Sequence, residues 1–181
     1  MIIIDDFLPT QHFEKVKSLF LGDSETSPYF HFGLTRIVED YRGNSENNVQ
    51  FSSDVKQDIT PLAKTGFFKI IGLQNLIKFK ANITFKGEKI EEHGMHCDLP
   101  DIEDIEHLNP KTAIYYLNTC DGYTSFENGK KINSVANRYI EFDAKLMHSG
   151  TNTTDKLFRA VVNLNYIPRN NFPRNEKKRF E

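Results

Sequence analysis

Between Ile77 and Lys86 the chain alternates without a break. Ile77, Phe79, Ala81, Ile83 and Phe85 are apolar, and Lys78, Lys80, Asn82, Thr84 and Lys86 stand between them. Successive side chains of a strand point to opposite faces, so ten residues at period two predict a long strand with one face in a core and the other against a wetter environment. Such a strand needs partners. Candidates follow at 111–118, 123–127, 138–143 and 157–167. Turn-forming pairs separate them at Asp121-Gly122, Asn128-Gly129, Ala136-Asn137 and Ser149-Gly150. Many short strands at close spacing predict an antiparallel sandwich or barrel.

The first third of the chain reads differently. Ile2-Ile3-Ile4 followed by Asp5-Asp6 suits a short strand and turn. Pro9 and Thr10 are helix-start residues, Phe13, Val16, Leu19 and Phe20 then fall at helical spacing, and Gly22 is a stop, which predicts a helix over about 10–21. Residues 22–58 are polar and irregular, with a short strand suggested by Phe30, Phe32, Leu34 and Ile37. Residues 59–73 suit a second helix ending near Gly72. Helices first and strands afterwards make the expected class α+β, mainly β.

Composition bounds the function. At 181 residues the chain is one domain's worth, with no internal repeat. Lys plus Arg is 23 and Asp plus Glu 25, so no net field of either sign steers a ligand, and a nucleic-acid partner has no basic stripe to hold it. No apolar run approaches a membrane span, and the start, Met1-Ile-Ile-Ile-Asp5-Asp6, lacks the features of a secretory signal. Cys97 and Cys120 are therefore expected reduced, in a cytoplasmic location. The tail 168–181, with five basic and two acidic residues, reads as a solvated terminus or a docking segment for an acidic partner. No nucleophile elbow, phosphate loop, Cys-x-x-Cys or dinucleotide fingerprint is present.

The chemistry-bearing residues lie in the second half. His96-Cys97-Asp98 places an imidazole and a carboxylate on one face of an extended segment. Those two groups are two-thirds of the facial triad that holds non-haem Fe(II), and the triad needs a second His from elsewhere. His148 lies fifty residues after Asp98, at a strand end. Arg159 lies eleven residues further, on a strand where Arg159, Val161, Asn163 and Asn165 share one face. A buried Arg on such a strand needs an anion, and its fork matches a carboxylate.

With those residues in place the sequence resembles the Fe(II)/2-oxoglutarate-dependent dioxygenases. It is similar to small prolyl 4-hydroxylase-like members, some of them phage-encoded. Their signature is His-x-Asp, about fifty residues, His, then about ten more to Arg or Lys. The strand Ala113-Ile-Tyr-Tyr-Leu-Asn118, the turn and strand Asp121-Gly-Tyr-Thr-Ser-Phe-Glu127, the strand Asn137-Arg-Tyr-Ile-Glu-Phe-Asp143 and the opening Asp6-Phe-Leu-Pro9 carry the likeness, closely over 75–167 and loosely over 1–22. The resemblance implies a double-stranded β-helix, a jelly-roll or cupin-like barrel with N-terminal helices outside. The domain would be 1–167, in which residues 1–74 are helical and irregular and 75–167 form the β-helix core, with the basic tail 168–181 beyond. His96, Asp98 and His148 would bind Fe(II), and Arg159 would take the distal carboxylate of 2-oxoglutarate. Dioxygen would be consumed with release of succinate and CO2. Asn82 is expected as a further co-substrate contact. Of Tyr115 and Tyr116, which point to opposite faces, Tyr115 is the one expected there.

Other residues have plainer readings. His93 and His107 flank the site in loop-like sequence, as solvated loop residues or as substrate contacts, with His93 at a position where prolyl hydroxylases often have Tyr. Residues 98–110 form a lid or a solvated connection, and Lys80 near the mouth could assist anion binding. Alternation points Cys97 away from the site. The substrate is expected to be a peptide side chain, such as prolyl, or a small metabolite. Two other classes stay open: a catalytically silent β-helix binding module, and a cupin-like metal enzyme without a keto acid. The oligomeric state is not legible.

Overall fold

A computed structural model describes residues 1–36, 49–53, 57–99 and 103–169. Ile37 of the expected early strand and most of the basic tail lie outside the described residues. The N-terminal region contains β1 (Ile2–Ile4), α1 (Thr10–Leu21), β2 (Gly33–Arg36), β3 (Val49–Ser53), α2 (Thr60–Lys64) and α3 (Phe67–Ile70). The long alternating segment is β4 (Leu73–Phe85). After it come β5 (Lys111–Tyr116), β6 (Tyr123–Phe126), β7 (Lys131–Asn133), β8 (Tyr139–Asp143), β9 (His148–Gly150) and β10 (Phe158–Pro168).

The strands form two antiparallel sheets. The larger has the order β1-β8-β5-β10-β4-β3-β2 and the smaller the order β7-β6-β9. Residues 92–96 lie along the free side of β9, bridging Glu92 to Thr151 and His96 to His148. From β4 onward the chain therefore shuttles between sheets: β4 large, 92–96 small, β5 large, β6 and β7 small, β8 large, β9 small, β10 large. That winding is a double-stranded β-helix. β10 sits centrally, paired to β4 on one side and β5 on the other.

Period two decides what each face of the large sheet buries. Phe79 and Ala81 of β4, Tyr115 of β5, and Val162, Leu164 and Tyr166 of β10 face outward onto the helices. There Phe13, Val16 and Phe20 of α1 meet Leu62, Phe67 and Ile71. Each Val, Leu, Ile or Phe side chain among them contributes about 1.5–3 kcal/mol when removed from water. The opposite face contributes Ile114, Tyr116, Ile140 and Val161 to a smaller cluster with Phe126 and Phe142 between the sheets. The expected helix at 10–21 is α1, closed by Gly22 at φ 69°.

Two expectations about local structure need correction. The helix read over 59–73 is two short helices, because Gly66 between α2 and α3 sits at φ 79°, which no α-helix interior can contain. Ser149-Gly150 is not a turn but belongs to β9, paired to Ser125 and Thr124 of β6. The connection after Asp98 contains one 3-10 turn, Glu103–Leu108.

Candidate active site

The two histidines meet through the backbone. His96 N–H donates to the His148 carbonyl at 2.9 Å, and His148 N–H donates back to the His96 carbonyl at 2.8 Å. A reciprocal pair of this kind brings side chains of opposed residues close on one face, and the two imidazole centroids are 4.9 Å apart. Each Nδ1 lies against the carbonyl two residues earlier, His96 on Gly94 at 2.9 Å and His148 on Leu146 at 3.0 Å. A carbonyl can only accept, so Nδ1 carries the proton and the Nε2 lone pair is left to face the site.

Asp98 completes the group. Its carboxylate oxygens stand 3.8 Å from His96 Nε2 and 3.7 Å from His148 Nε2. These gaps are too long for hydrogen bonds. The three ligand atoms lie within 4.8 Å of one another, converging on one point. Asn165 Nδ2, 1 % exposed, donates to Asp98 Oδ2 at 3.2 Å and to Thr112 Oγ1 at 2.8 Å, which holds the carboxylate in its orientation. Burial lowers the pKa of His148 against the opposing pull of Asp98, keeping the imidazole neutral, as a metal ligand must be.

A cavity of about 220 Å³ between the sheets joins this cluster to Arg159. Arg159 is 4 % exposed. Its Nε donates to Ser134 Oγ at 2.7 Å and Nη2 to Thr124 Oγ1 at 3.1 Å, and its guanidinium carbon lies 5.6 Å from the Tyr116 ring centroid. Among the described residues no carboxylate pairs with it. Nη1 donates to the Thr151 carbonyl at 3.5 Å. Burial pushes the Arg159 pKa down, and a desolvated cation held by hydroxyls, a carbonyl and a ring lacks its anion. Gly122 makes room for it, since a Cβ there would stand 2.6 Å from Arg159 Cδ.

The cavity also holds polar atoms with no partner: Asn82 Oδ1, Asn163 Oδ1 and His93 Nε2. Burial, with the charge of Arg159 and then of His96 beside it, pulls His93 down to about 4. The donor set of two imidazoles and one carboxylate fits Fe(II). The buried guanidinium in the same cavity, without a carboxylate partner among the described residues, fits the carboxylate of a small acid.

The cavity brings together Asn82 of β4 and Arg159 of β10 in the large sheet, His148 of β9 in the small one, and His96 and Asp98 from the segment beside β9. It does not include Tyr115. That ring packs on Phe7, Phe13 and Phe67, and its hydroxyl donates to Asn137 Oδ1 at 2.6 Å on the helix side. Tyr116 is the tyrosine on the site face, donating to Thr124 Oγ1 at 2.8 Å. Cys97, expected to point away, is among the residues around the cavity. His93, read as a solvated loop residue or a substrate contact, lies inside it. Asn163 and Asn165 were legible as sharing a face with Arg159, though not as site residues.

No protein-family model and no curated protein sequence matches the chain. Solved structures do match in shape. A Trichoplax adhaerens prolyl hydroxylase, in complex with a hypoxia inducible factor oxygen degradation domain peptide fragment, superposes with a TM-score of 0.58 at 18% identity, over 92% of this chain and 83% of that one. A 2OG-Fe(II) oxygenase family oxidoreductase from Burkholderia pseudomallei gives 0.61 at 12%, over 93% and 85%. HygX from Streptomyces hygroscopicus, with nickel, 2-oxoglutarate and hygromycin B bound, gives 0.56 at 10%, over 92% and 82%. Strand order, winding and these superpositions agree: the chain has the double-stranded β-helix fold of the 2-oxoglutarate–Fe(II) oxygenases.

Proposed function

We propose that the chain is an Fe(II)- and 2-oxoglutarate-dependent dioxygenase that hydroxylates a peptide side chain or a small metabolite. The observation that carries the reading is Arg159, buried without an acidic partner among the described residues, at the other end of the cavity that holds His96, Asp98 and His148. A metal enzyme with no keto acid has no use for such a cation, and a silent binding module has no use for either end. Bound there, Fe(II) with 2-oxoglutarate and dioxygen supplies the oxidative decarboxylation that yields succinate, CO2 and a hydroxylated product.

The chain's own residues position and protect. The carbonyls of Gly94 and Leu146 fix the imidazole tautomers, and Asn165 fixes the Asp98 carboxylate. Arg159 takes the distal carboxylate of the keto acid in a fork that Ser134, Thr124 and the Tyr116 ring hold in place. Asn82 and His93 offer polar atoms along the same cavity. Ile114 and Val161 form its apolar wall and limit water.

In this reading residues 1–167 make up the catalytic domain and 168–181 a tail outside it. Cys97 and Cys120 are both free thiols, and among the described residues no helix is long and apolar enough to cross a membrane. A cytoplasmic setting suits both facts.

The deciding experiment is anaerobic titration of Fe(II)-loaded protein with 2-oxoglutarate. The expected result is a weak visible charge-transfer band that His148→Ala lacks. Bound iron without a band would favour a metal enzyme not using a keto acid, and no bound iron would favour the binding module.

A further inference from the structure

A second space adjoins the cavity. It is an open trough of about 590 Å³ lined by His31, Phe32, Thr35, Ser52 and Gln57 on one side and by Lys78 and Lys80 on the other. The same two lysines line the inner cavity, so the trough and the site are continuous through them. Lys78 lies opposite Asn165 in the β4–β10 register, and Asn165 is the residue that holds Asp98. Lys78 therefore stands where the trough reaches the metal cluster, close enough for its charge to act on His148.

The charges around this position do not cancel. Among the described residues, Asp98 is the one carboxylate lining the inner cavity, and none lines the trough. A divalent ion, the Asp98 carboxylate, the Arg159 guanidinium and a doubly charged keto acid together sum to zero. Leaving Lys80 aside, Lys78 then remains as an excess positive charge, with no ion pair or hydrogen bond among the described residues. Half-buried cations facing a bound ligand are stabilised by an anion, and complementary charge selects the partner.

We propose that the substrate of this site carries a carboxylate that Lys78 holds at the junction of trough and cavity; this rests on the oxygenase reading above. The carboxylate belongs either to an acidic peptide lying in the trough or to a free dicarboxylic amino acid. Both present the same group to Lys78.

The test uses full-length protein saturated with Zn(II) and 2-oxoglutarate, so that binding is read without turnover. Rhodamine-labelled peptide pools of equal length, rich in Asp and Glu, neutral, or rich in Lys and Arg, are titrated by fluorescence anisotropy. In parallel, free aspartate and glutamate are tried as stimulants of succinate release by the Fe(II) protein. The acidic pool should bind at least about tenfold more tightly than the neutral one, or the free amino acids should stimulate succinate release. The first outcome assigns a peptide source and the second a small-molecule one. The preference should weaken with salt, be lost in Lys78→Glu and return in Lys78→Arg, which also guards against a variant that fails to fold. Equal or tighter binding of the neutral or basic pool, without stimulation by the free amino acids, overturns the proposal. Absence of the anaerobic charge-transfer band sinks the oxygenase reading itself; a band without acidic preference sinks only this inference.

Discussion

The two faces of the large sheet are made by the same strands and have opposite characters. On the outward face the aromatic side chains stack: Phe7 on Tyr139 with centroids 4.4 Å apart, Phe20 on Phe30 at 4.6 Å. The polar side chains there are paired, apart from the Ser53 hydroxyl opposite Ala81. Tyr115 reaches Asn137, and Tyr139 and Tyr166 both donate to the buried carboxylate of Glu141. On the inward face Arg159 lacks an anion among the described residues, Asn82 and Asn163 have unpartnered atoms, and His93 across the cavity has one too. One face is closed and the other is built for ligands that the chain itself does not supply. A site of this kind is a local cost that a well-packed scaffold must offset.

That contrast can be broken from either side. The largest effect is expected on the closed face. Phe67→Ala removes a ring that touches Phe7 and Tyr115, and should cost about 3–5 kcal/mol in urea unfolding. A loss under about 1 kcal/mol would mean that the helices stand outside the cooperative core. Next comes Arg159→Ala on the open face. It should weaken 2-oxoglutarate binding by about a hundredfold or more, spare Fe(II) binding, and leave the ligand-free protein no less stable. Unchanged keto-acid affinity would remove Arg159 from the site.

Acid should act through the open face. His93 is held down to about 4, so the folded state resists a proton that the unfolded chain accepts near 6.5. Its contribution is complete above pH 6.5 and lost as pH falls toward 4, by about 3 kcal/mol in metal-free protein. In His93→Asn that share of the loss should vanish, and an unchanged acid profile would place the titration elsewhere. Asn165→Ala should lower Fe(II) affinity by about 10–100-fold through release of the Asp98 carboxylate, read by metal titration, while Asn165→Asp should not rescue it. The smallest effect separates the adjacent tyrosines. Tyr115→Phe should cost about 1 kcal/mol of stability with no change in keto-acid affinity. Tyr116→Phe frees Thr124 from its bond and should weaken that affinity a few-fold. If the two variants behave alike, the faces are not as separate as the packing makes them.

Much of this was legible in the residues themselves. Alternation in β4 divided Phe79 and Ala81 from Lys78, Lys80 and Asn82, because a strand with one polar face leaves a period-two trace. The same rule put Arg159, Val161, Asn163 and Asn165 on one side of β10, where the cavity lies. His-x-Asp required only local extension to place its two side chains together. The helix over 10–21 was written in its spacing and its terminal Gly22.

Other features were decided by tertiary structure, for physical reasons that can be named. β5 is buried on both faces, so its sequence has no polar trace to say which of Tyr115 and Tyr116 meets the site. The fold assigns Tyr115 to the helices, because Ala113 and Tyr115 share the face that packs against them. Gly66 splits the second helical segment by adopting a positive φ that glycine permits without requiring. Ser149-Gly150 has the composition of a turn, yet hydrogen bonding to β6 makes it a strand that carries His148 to His96. His93 enters the cavity because pairing along β9 brings residues 92–96 to the side where Arg159 lies, a neighbourhood that no local pattern encodes. Periodicity records the environment of each face of a strand; which elements form that environment is settled only when distant segments pair.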